Sequence, residues 1–134
     1  MTDIFTSKKR SEIMSKIHSR NTDIELILMT ELRRSKIKGF KYQEKITGNP
    51  DFVFKDQKVV VFCDGDFWHG YKFKTWKDKL NKFWQKKIAN NIRRDMVVNL
   101  TLKKEGWTVV RLWGHTIKQN PSYCIKKIKV AIGK

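Results

Sequence analysis

The sequence predicts an α/β fold, with a single domain over residues 1–134 built on a mixed β-sheet flanked by helices. A chain of 134 residues suits one domain with one hydrophobic core. Hydrophobic residues make up 40% of it and aromatic residues 12%, which is typical of a globular protein. Segments of helical and strand character follow in the order α, β, β, β, α, β, α, and helices covering a mixed sheet would bury their apolar faces.

The first element is expected to be short and basic. Residues 7–17, SKKRSEIMSKI, place Ile13 and Ile17 one helical turn apart among basic side chains. This pattern is typical of a short helix, or of an arm that becomes ordered on a partner.

Residues 21–39 predict an amphipathic helix. Thr22 and Glu25 have the spacing of a capping box at its start. Gly39 can adopt the left-handed conformation that often follows the end of a helix. The apolar stripe of this helix consists of Ile24, Ile27, Leu28 and Leu32.

Three segments that follow predict strands. The first covers residues 40–45. The second, DFVF at residues 51–54, is joined by a turn at residues 55–58 to VVVFC at residues 59–63. Because VVVFC is a continuous apolar run, we expect it at the buried centre of the sheet, beside residues 109–113.

The remaining sequence predicts a long helix, a strand and a last helix. The long helix covers residues 82–104 and is ended by Gly106. WTVVRLW at residues 107–113 predicts a strand, and Asn120 with Pro121 predicts the start of the last helix. One stripe of the long helix carries an acid among apolar residues, namely Ile88, Ile92, Asp95 and Leu102.

Positive charge is the strongest compositional signal. Thirty lysines and arginines face 13 aspartates and glutamates, giving a net charge of +17, and the basic residues are spread along the chain. Such a surface favours a polyanionic partner, most often a nucleic acid. The alternative is a solvated basic surface without a partner, although self-repulsion disfavours so large a charge.

The cysteines and the absence of long apolar segments indicate a soluble protein of a reducing compartment. Cys63 and Cys124 form no CxxC motif, and a free thiol in a buried strand behaves as a small hydrophobic group. The N-terminal residues lack the apolar core of a signal peptide, and no apolar run reaches the about 20 residues of a membrane span. We therefore expect a cytoplasmic protein.

Two aspartates are expected to meet at one edge of the sheet. Asp51 opens one strand of the predicted hairpin and Asp64 follows the other, so antiparallel pairing brings them together. Two close carboxylates repel each other unless a hard cation lies between them, and Mg²⁺ is the natural candidate. The alternative is that both are turn residues.

Three further side chains could belong to the same site. His69, in a loop flanked by glycines, could exchange a proton with water or a leaving group, although a lone loop histidine is more often a surface residue. Glu25 could be a further acid, although the capping box also explains it. Asp95 is expected on or near the inward face of its helix, unless it pairs with Arg93 or a lysine.

Aromatic residues close to Asp64 suggest contact with a nucleic acid. Phe67 and Trp68 lie in the sequence GDFWHG, and Trp84 opens the long helix. Rings in basic surroundings can stack on bases or wedge between them. Packing in the core beneath the loop is the alternative.

Five blocks of sequence, in their order and spacing, resemble the very-short-patch-repair DNA endonucleases, which nick DNA at T:G mismatches. The blocks are SKIHSRNTDIELIL, PDFVF, VVVFCDGDFWHG, FWQKKIANNIRRD and EGWTVVRLW, and they span nearly the whole chain. The resemblance implies the restriction-endonuclease-like fold and magnesium-dependent hydrolysis of a DNA phosphodiester.

The resemblance also implies a role for each site residue. Asp51 matches the metal-binding catalytic aspartate, the backbone carbonyl of Cys63 a further metal ligand, and Glu25 an acid that reaches the metal through water. His69 matches the catalytic histidine, and Asp95 the aspartate that orients its ring. The rings that match the DNA wedge are Phe67, Trp68 and Trp84. The basic residues expected along the duplex are Lys8, Lys9, Arg10, Lys16 and Arg20.

The sequence departs from the family pattern in two places. Asp64 stands where the best-known members carry histidine, and because aspartate is a better metal ligand it could bind Mg²⁺ more strongly or hold a second ion. The family often contains a structural zinc bound by Cys and His, whereas this chain offers only Asp66 and His115 in a shortened loop. We expect no zinc. The aromatic residues expected to hold the loop instead are Tyr71, Phe73 and Trp76.

The function expected from these observations is magnesium-dependent nicking of one DNA strand beside a T:G mismatch, by a monomer bound to double-stranded DNA. Binding is expected to weaken steeply with salt. One alternative is a nickase of the same fold that requires no mismatch, and a second is a non-catalytic nucleic-acid-binding protein. The expected location is the bacterial or archaeal cytoplasm, in association with the nucleoid.

Overall fold

A computed structural model describes residues 23–133, which form a four-stranded mixed sheet with helices packed against it. The predicted α/β class is confirmed, whereas the element predicted at residues 7–17 lies outside the described residues. The strands are β1 (Phe40–Tyr42), β2 (Phe52–Phe54), β3 (Val59–Asp64) and β4 (Thr108–Trp113). The helices are α1 (Asp23–Arg34), α2 (Phe73–Trp76), α3 (Lys82–Lys104), α4 (Gly114–Gln119) and α5 (Pro121–Ala131), with a 3₁₀ turn at Lys77–Lys79.

The hairpin of β2 and β3 forms as the sequence predicts. Phe52 pairs with Val61 in antiparallel register, and residues 55–58 make the turn between the strands. β1 pairs antiparallel with β2 but covers three residues, fewer than predicted. It ends early because Gln43 adopts a φ of 57°, which interrupts the extended backbone.

β3 is a central strand of the sheet and positions the site described below. It runs antiparallel to β2 and parallel to β4, with Val59 opposite Thr108 and Asp64 opposite Trp113. The long helix α3 makes the crossover between the two parallel strands. Residues of β3 pack against α1, α4 and α5 on one face and against α3 on the other. The strand therefore ends at Asp64 with that side chain almost completely buried.

The C-terminal end of α1 differs from the prediction. The helix ends at Arg34, and Lys36, with a φ of 58°, takes the left-handed position expected for Gly39. The N–H of Ile37 donates to the carbonyl of Leu32 at 3.0 Å, as in a Schellman turn. Gly39 is also left-handed, with a φ of 86°, but it lies in the connection to β1. The assignment of Gly39 as the helix terminator was therefore wrong.

The bounds predicted for α3 are confirmed, and so is the start of α5. The side chain of Asn120 accepts a hydrogen bond from the N–H of Tyr123 at 3.2 Å, and Pro121 is the first residue of α5. The sequence missed α2, the 3₁₀ turn and α4, because elements of three to six residues are too short to show helical periodicity. Within the described part of the chain, no helix has the length and apolar character needed to cross a membrane.

Candidate active site

Four side chains predicted to be catalytic line one cavity of about 360 Å³, namely Asp51, Asp64, His69 and Asp95. The hairpin supplies two of them, because Asp51 directly precedes β2 and Asp64 ends β3. His69 comes from the loop after β3, and Asp95 comes from α3. The convergence of the two aspartates that the hairpin predicts is therefore present.

Asp51 is fixed by the backbone of β3. Its N–H donates to the carbonyl of Val61 at 3.0 Å, and its Oδ2 accepts the N–H of Cys63 at 2.7 Å. Burial raises the pKa of Asp51 to about 8, the Cys63 N–H opposes this rise, and the carboxylate of Glu25 adds to it. A cation at Asp51 would favour the ionised carboxylate, so this position suits a metal ligand.

Glu25 reaches the same site from α1. Its side chain is buried, and its Oε1 accepts hydrogen bonds from the hydroxyl of Tyr42 at 2.9 Å and from Nε2 of Gln43 at 3.3 Å. It is also close enough to Asp51 to raise the pKa of that carboxyl. Glu25 is therefore a close neighbour of Asp51. Its predicted capping partner, Thr22, lies outside the described residues.

His69 and Asp95 form a close pair. Nδ1 of His69 lies 2.6 Å from Oδ2 of Asp95. The alternative partner on the same helix, Arg93, instead donates to Oδ1 of Asn90 at 3.4 Å. Because Nδ1 is engaged by the carboxylate, Nε2 is the ring nitrogen that can exchange a proton with water or substrate.

The loop that carries His69 is seated on α3. Nδ2 of Asn91 donates to the carbonyl of Trp68 at 3.2 Å. Gly70, with a φ of 73°, approaches the helix so closely that a Cβ at this position would lie 2.4 Å from Cδ1 of Ile92. Only glycine fits this combination of left-handed backbone and close approach without a shift of the loop.

Asp64 has a partner that the sequence analysis missed. Both of its carboxylate oxygens accept from Nη1 of Arg111, at 3.0 and 3.1 Å, and Oδ1 lies 3.7 Å from Nδ1 of His69. Burial raises the pKa of Asp64, whereas His69 and Arg111 oppose the rise. Arg111 lies within the mostly apolar strand β4. A buried arginine in an apolar strand is usually paired with an acid. This rule could have identified Arg111 as a candidate site residue from the sequence.

The donor atoms around the cavity suit a hard divalent cation. Asp51 and Glu25 bring two carboxylates together, and the backbone of Cys63 runs beside Asp51. A second group, formed by Asp64, His69 and Asp95, has one ligand atom from each residue within 4.8 Å of the others. Carboxylate and carbonyl oxygens are the ligands that Mg²⁺ prefers.

Asp66 and His115, the two remaining candidates for zinc ligands, bind each other. Nδ1 of His115 lies 3.0 Å from Oδ2 of Asp66. The ring of Tyr71 packs on His115 with 4.4 Å between centroids, and Nε1 of Trp76 donates to the carbonyl of Tyr71 at 2.9 Å. Phe73 packs edge-on against Trp76 at 5.1 Å. These contacts agree with the predicted aromatic packing of the loop, and the absence of zinc stays a prediction.

The three rings predicted to contact DNA form one cluster. Phe67 and Trp68 lie 5.5 Å apart between centroids, and Trp84 lies 5.8 Å from the first and 5.5 Å from the second. Trp84 is only 2% exposed, whereas Phe67 and Trp68 are half-buried. The Nε1 atoms of Trp68 and Trp84 are buried without a hydrogen-bond partner within residues 23–133. The basic residues predicted to follow the duplex lie outside the described part, namely Lys8, Lys9, Arg10, Lys16 and Arg20.

Comparison with known proteins identifies the family. Residues 2–75 match the sequence model described as DNA mismatch endonuclease Vsr. The chain is 38% identical over 133 residues to the type II nicking enzyme V.NmeDIP of Neisseria meningitidis serogroup C, which covers 97% of this chain and 90% of that protein. It is 37% identical over 135 residues to the type II nicking enzyme V.HpaIIP of Haemophilus parainfluenzae, which covers 97% and 95%.

A further relative carries the family name itself. The DNA mismatch endonuclease Vsr of Escherichia coli strain K12 is 34% identical over 117 residues, covering 84% of this chain and 74% of that protein. The resemblance inferred from the five sequence blocks is confirmed. The chain belongs to the Vsr family of DNA endonucleases.

Proposed function

We propose that this DNA endonuclease nicks one strand of a duplex beside a T:G mismatch and depends on Mg²⁺. The observation that carries the proposal is the cavity that Asp51 shares with the His69–Asp95 pair. A carboxylate that can bind a metal and an oriented imidazole are the two groups needed to hydrolyse a phosphodiester. A cavity with one such set of groups cuts one strand at a time, which supports nicking.

Asp51, the backbone carbonyl of Cys63 and, through a water molecule, Glu25 would hold the metal ion. The raised pKa of Asp51 supports this choice, because no cation among the described residues stabilises its carboxylate as Arg111 stabilises that of Asp64. Asp64 would act as the predicted direct ligand only after exchanging Arg111 for the ion. When bound, Mg²⁺ lowers the pKa of a water molecule and neutralises charge on the phosphate.

His69 would carry the proton in the reaction. Asp95 holds Nδ1 at 2.6 Å, so the ring is oriented and Nε2 can accept a proton from water or return one to the leaving oxygen. The Asp95 carboxylate also stabilises the imidazolium that forms when a proton is accepted. Asp95 would therefore both orient the ring of His69 and stabilise its positive charge, and the second effect needs a carboxylate at this position.

Binding to DNA would use the net charge of +17 and the ring cluster. A mismatched step stacks poorly, so insertion of Phe67 and Trp68 costs less there than in a matched duplex. Trp84 is buried, and its insertion would require the cluster to open. Among residues 23–133 the Nε1 atoms of Trp68 and Trp84 have no hydrogen-bond partner, so each would gain a bond on exposure, which lowers the cost of opening.

A nickase without a mismatch requirement is the second candidate. Two of the relatives named above are called type II nicking enzymes, and their names mention no mismatch. Asp64 also departs from the histidine of the best-known family members. The other alternative from the sequence, a non-catalytic nucleic-acid-binding protein, is wrong, because the chain matches endonucleases over most of its length.

A nicking assay separates the two candidates. End-labelled duplexes that differ only in one T:G or T:A pair would be incubated with enzyme and either Mg²⁺ or EDTA. We expect a nick only beside T:G and only with Mg²⁺. Asp51→Ala should abolish nicking, whereas Asp56→Ala, which removes an exposed acid from the hairpin turn, is the matched control and should leave it intact.

The other outcomes of this assay each have a definite meaning. Equal nicking of the T:G and T:A duplexes would establish the nickase without a mismatch requirement. Nicking in EDTA at the same rate as in Mg²⁺ would remove the metal from the proposal. Full activity of Asp51→Ala would show that the cavity is not the active site.

A further inference from the structure

Arg111 is held in place on three sides. Its Nε donates to Oδ1 of Asn99 at 2.7 Å, and its Nη1 donates to both oxygens of Asp64. The guanidinium lies over the ring of Phe62, with 4.1 Å from Cζ to the centroid. Because these partners belong to the sheet and to α3, the orientation of the guanidinium is fixed before any substrate arrives.

One end of this guanidinium remains available for a ligand. Nη2 of Arg111 has no hydrogen-bond partner within residues 23–133, since the contacts of the side chain use Nε and Nη1. Arg111 lines the same cavity as Asp51 and His69. The planar fork of N–H groups on an arginine matches the oxygens of a phosphate.

The cavity is rich in negative charge. Asp51, Asp64 and Asp95 bring three carboxylates, and a DNA phosphodiester brings a further negative charge. Two arginines also line the cavity, and Arg111 differs from the exposed Arg94 in being held by its neighbours. Additional negative charge develops on the phosphate oxygens as water attacks. A donor that is already oriented toward that charge lowers the barrier without reorganisation, which is the usual origin of large electrostatic contributions to catalysis.

We propose that Arg111 is a catalytic residue that donates a hydrogen bond from Nη2 to one non-bridging oxygen of the scissile phosphate. This inference rests on the proposed function, because it requires a phosphodiester in the cavity. Asp64 is then the residue that positions Arg111, and the guanidinium supplies positive charge in the place where a second metal ion would otherwise act.

A purely structural role for Arg111 is the competing explanation. Loss of Arg111 would leave Asp64 buried and unpaired, which by itself disturbs a protein. The two explanations differ in their coupling to the substrate. A direct contact couples Arg111 energetically to one particular oxygen of the phosphate, whereas a structural role affects both oxygens alike.

Phosphorothioate substrates measure this coupling. Single-turnover nicking of the preferred duplex would be compared for sulfur in place of each non-bridging oxygen, in the wild type and in Arg111→Met. We expect Arg111→Met to slow cleavage of the all-oxygen substrate by about 10²–10³-fold, the range for loss of one oriented donor. Sulfur at one position should slow the wild type by about tenfold, as expected for weakening a charge-assisted hydrogen bond. That slowing should disappear in Arg111→Met.

Arg93→Met is the matched control for the loss of one positive charge. Arg93 is exposed on α3 and bonds only to Asn90 among the described residues, so its loss should leave both sulfur effects as in the wild type. Circular dichroism would show whether Arg111→Met folds. If it does not, the sulfur effects would be compared between Asp64→Asn and the double variant Asp64→Asn/Arg111→Met. In this pair the buried acid is already neutral, so the loss of Arg111 leaves no unpaired charge.

Identical sulfur effects in Arg111→Met and the wild type would overturn this inference and assign Arg111 a structural role. Identical sulfur effects in the two variants that carry Asp64→Asn would overturn it in the same way. Either result would leave the proposed function intact, since the wild type would still be an active nickase. A wild type that nicks neither matched nor mismatched duplexes would contradict the proposed function itself.

Discussion

Nδ1 of His69 and Oδ2 of Asp95 lie 2.6 Å apart although 26 positions separate the two residues in the chain. The contact joins a loop to the middle of a long helix, and two further contacts, from Asn91 and Gly70, hold that loop on the same helix. The imidazole is therefore oriented in the free protein, and DNA does not have to assemble this pair on binding.

Asp95→Asn should slow the chemical step without weakening DNA binding. The amide keeps the size of the side chain but cannot stabilise a charged imidazole, so we expect the single-turnover rate to fall by about 10²–10⁴-fold, the range for general acid–base catalysis. Nicking at saturating enzyme and a separate binding titration measure the two quantities. Asp56→Asn, at an exposed acid, is the control. Weaker binding with an unchanged rate would show that Asp95 serves DNA contact instead.

In the absence of metal, the free energy of unfolding should fall as the pH rises from about 4 to about 8. Burial raises the pKa of Asp51 from 3.8 to about 8, so in this range the folded chain keeps a proton that the unfolded chain has released. The stability associated with protonated Asp51 is fully present below pH 3.8, the pKa of the unfolded chain. It is lost as the pH rises through about 8, the pKa of the folded chain. The raised pKa of Asp64 acts in the same direction.

Thermal unfolding in EDTA across this pH range measures the effect. Asp51→Asn carries no charge at any pH and should have a shallower slope than the wild type. Mg²⁺ should restore stability near pH 8, because it binds the folded state with Asp51 ionised. Equal slopes for the two proteins would mean that Asp51 titrates at its ordinary pKa.

Gly70→Ala should damage the site more than Gly39→Ala. Both glycines have positive φ angles, 73° and 86°, so alanine introduces comparable backbone strain at each. A Cβ at Gly70 would lie 2.4 Å from Cδ1 of Ile92, whereas nothing lies within 4 Å at Gly39. We expect both variants to lose some thermal stability, but only Gly70→Ala to lose most of its nicking activity, because its loop carries His69. Similar activities would show that the loop tolerates the shift.

Tryptophan fluorescence should change when the enzyme binds a T:G duplex in Ca²⁺, a condition chosen to prevent cleavage. Trp68 and Trp84 pack together in the free chain, and opening of this cluster onto bases would alter their emission. Trp84→Phe should remove a large part of the change. Trp107→Phe, at a ring that packs under Lys58, is the control and should preserve it. A change that survives Trp84→Phe would indicate that Trp84 stays in the core.

Local sequence patterns were sufficient to predict where Asp51 and Asp64 meet. A turn of four residues joins their strands, so the antiparallel pairing follows from two short apolar segments that are adjacent in the sequence. The bounds of α3 were also predictable, and Gly106 follows its end as expected; the structure adds Asn81 as the residue that caps its start. The same kind of information misled the assignment of Gly39, since the conformational preference of glycine does not exclude that Lys36 becomes left-handed first.

The contact between Asp64 and Arg111 could not be read from periodicity. It depends on the register of two parallel strands separated by the whole of α3, where Asp64 lies opposite Trp113 and Arg111 lies opposite Phe62. Register across a crossover is set by tertiary packing, and a shift by one residue would turn Arg111 to the other face of the sheet. The identity of the partner therefore required the structure.

The hydrogen bond from the N–H of Cys63 to Asp51 makes one backbone amide a spectroscopic reporter of the site. The amide nitrogen lies 2.7 Å from the carboxylate oxygen, so the chemical shift of its proton depends on whether the carboxylate is neutral, ionised or bound to a cation. The ¹⁵N–¹H resonance of Cys63 would therefore follow metal loading and protonation without any DNA. Because this amide donates to the side chain of Asp51, its exchange with deuterium would also report how often that single hydrogen bond opens.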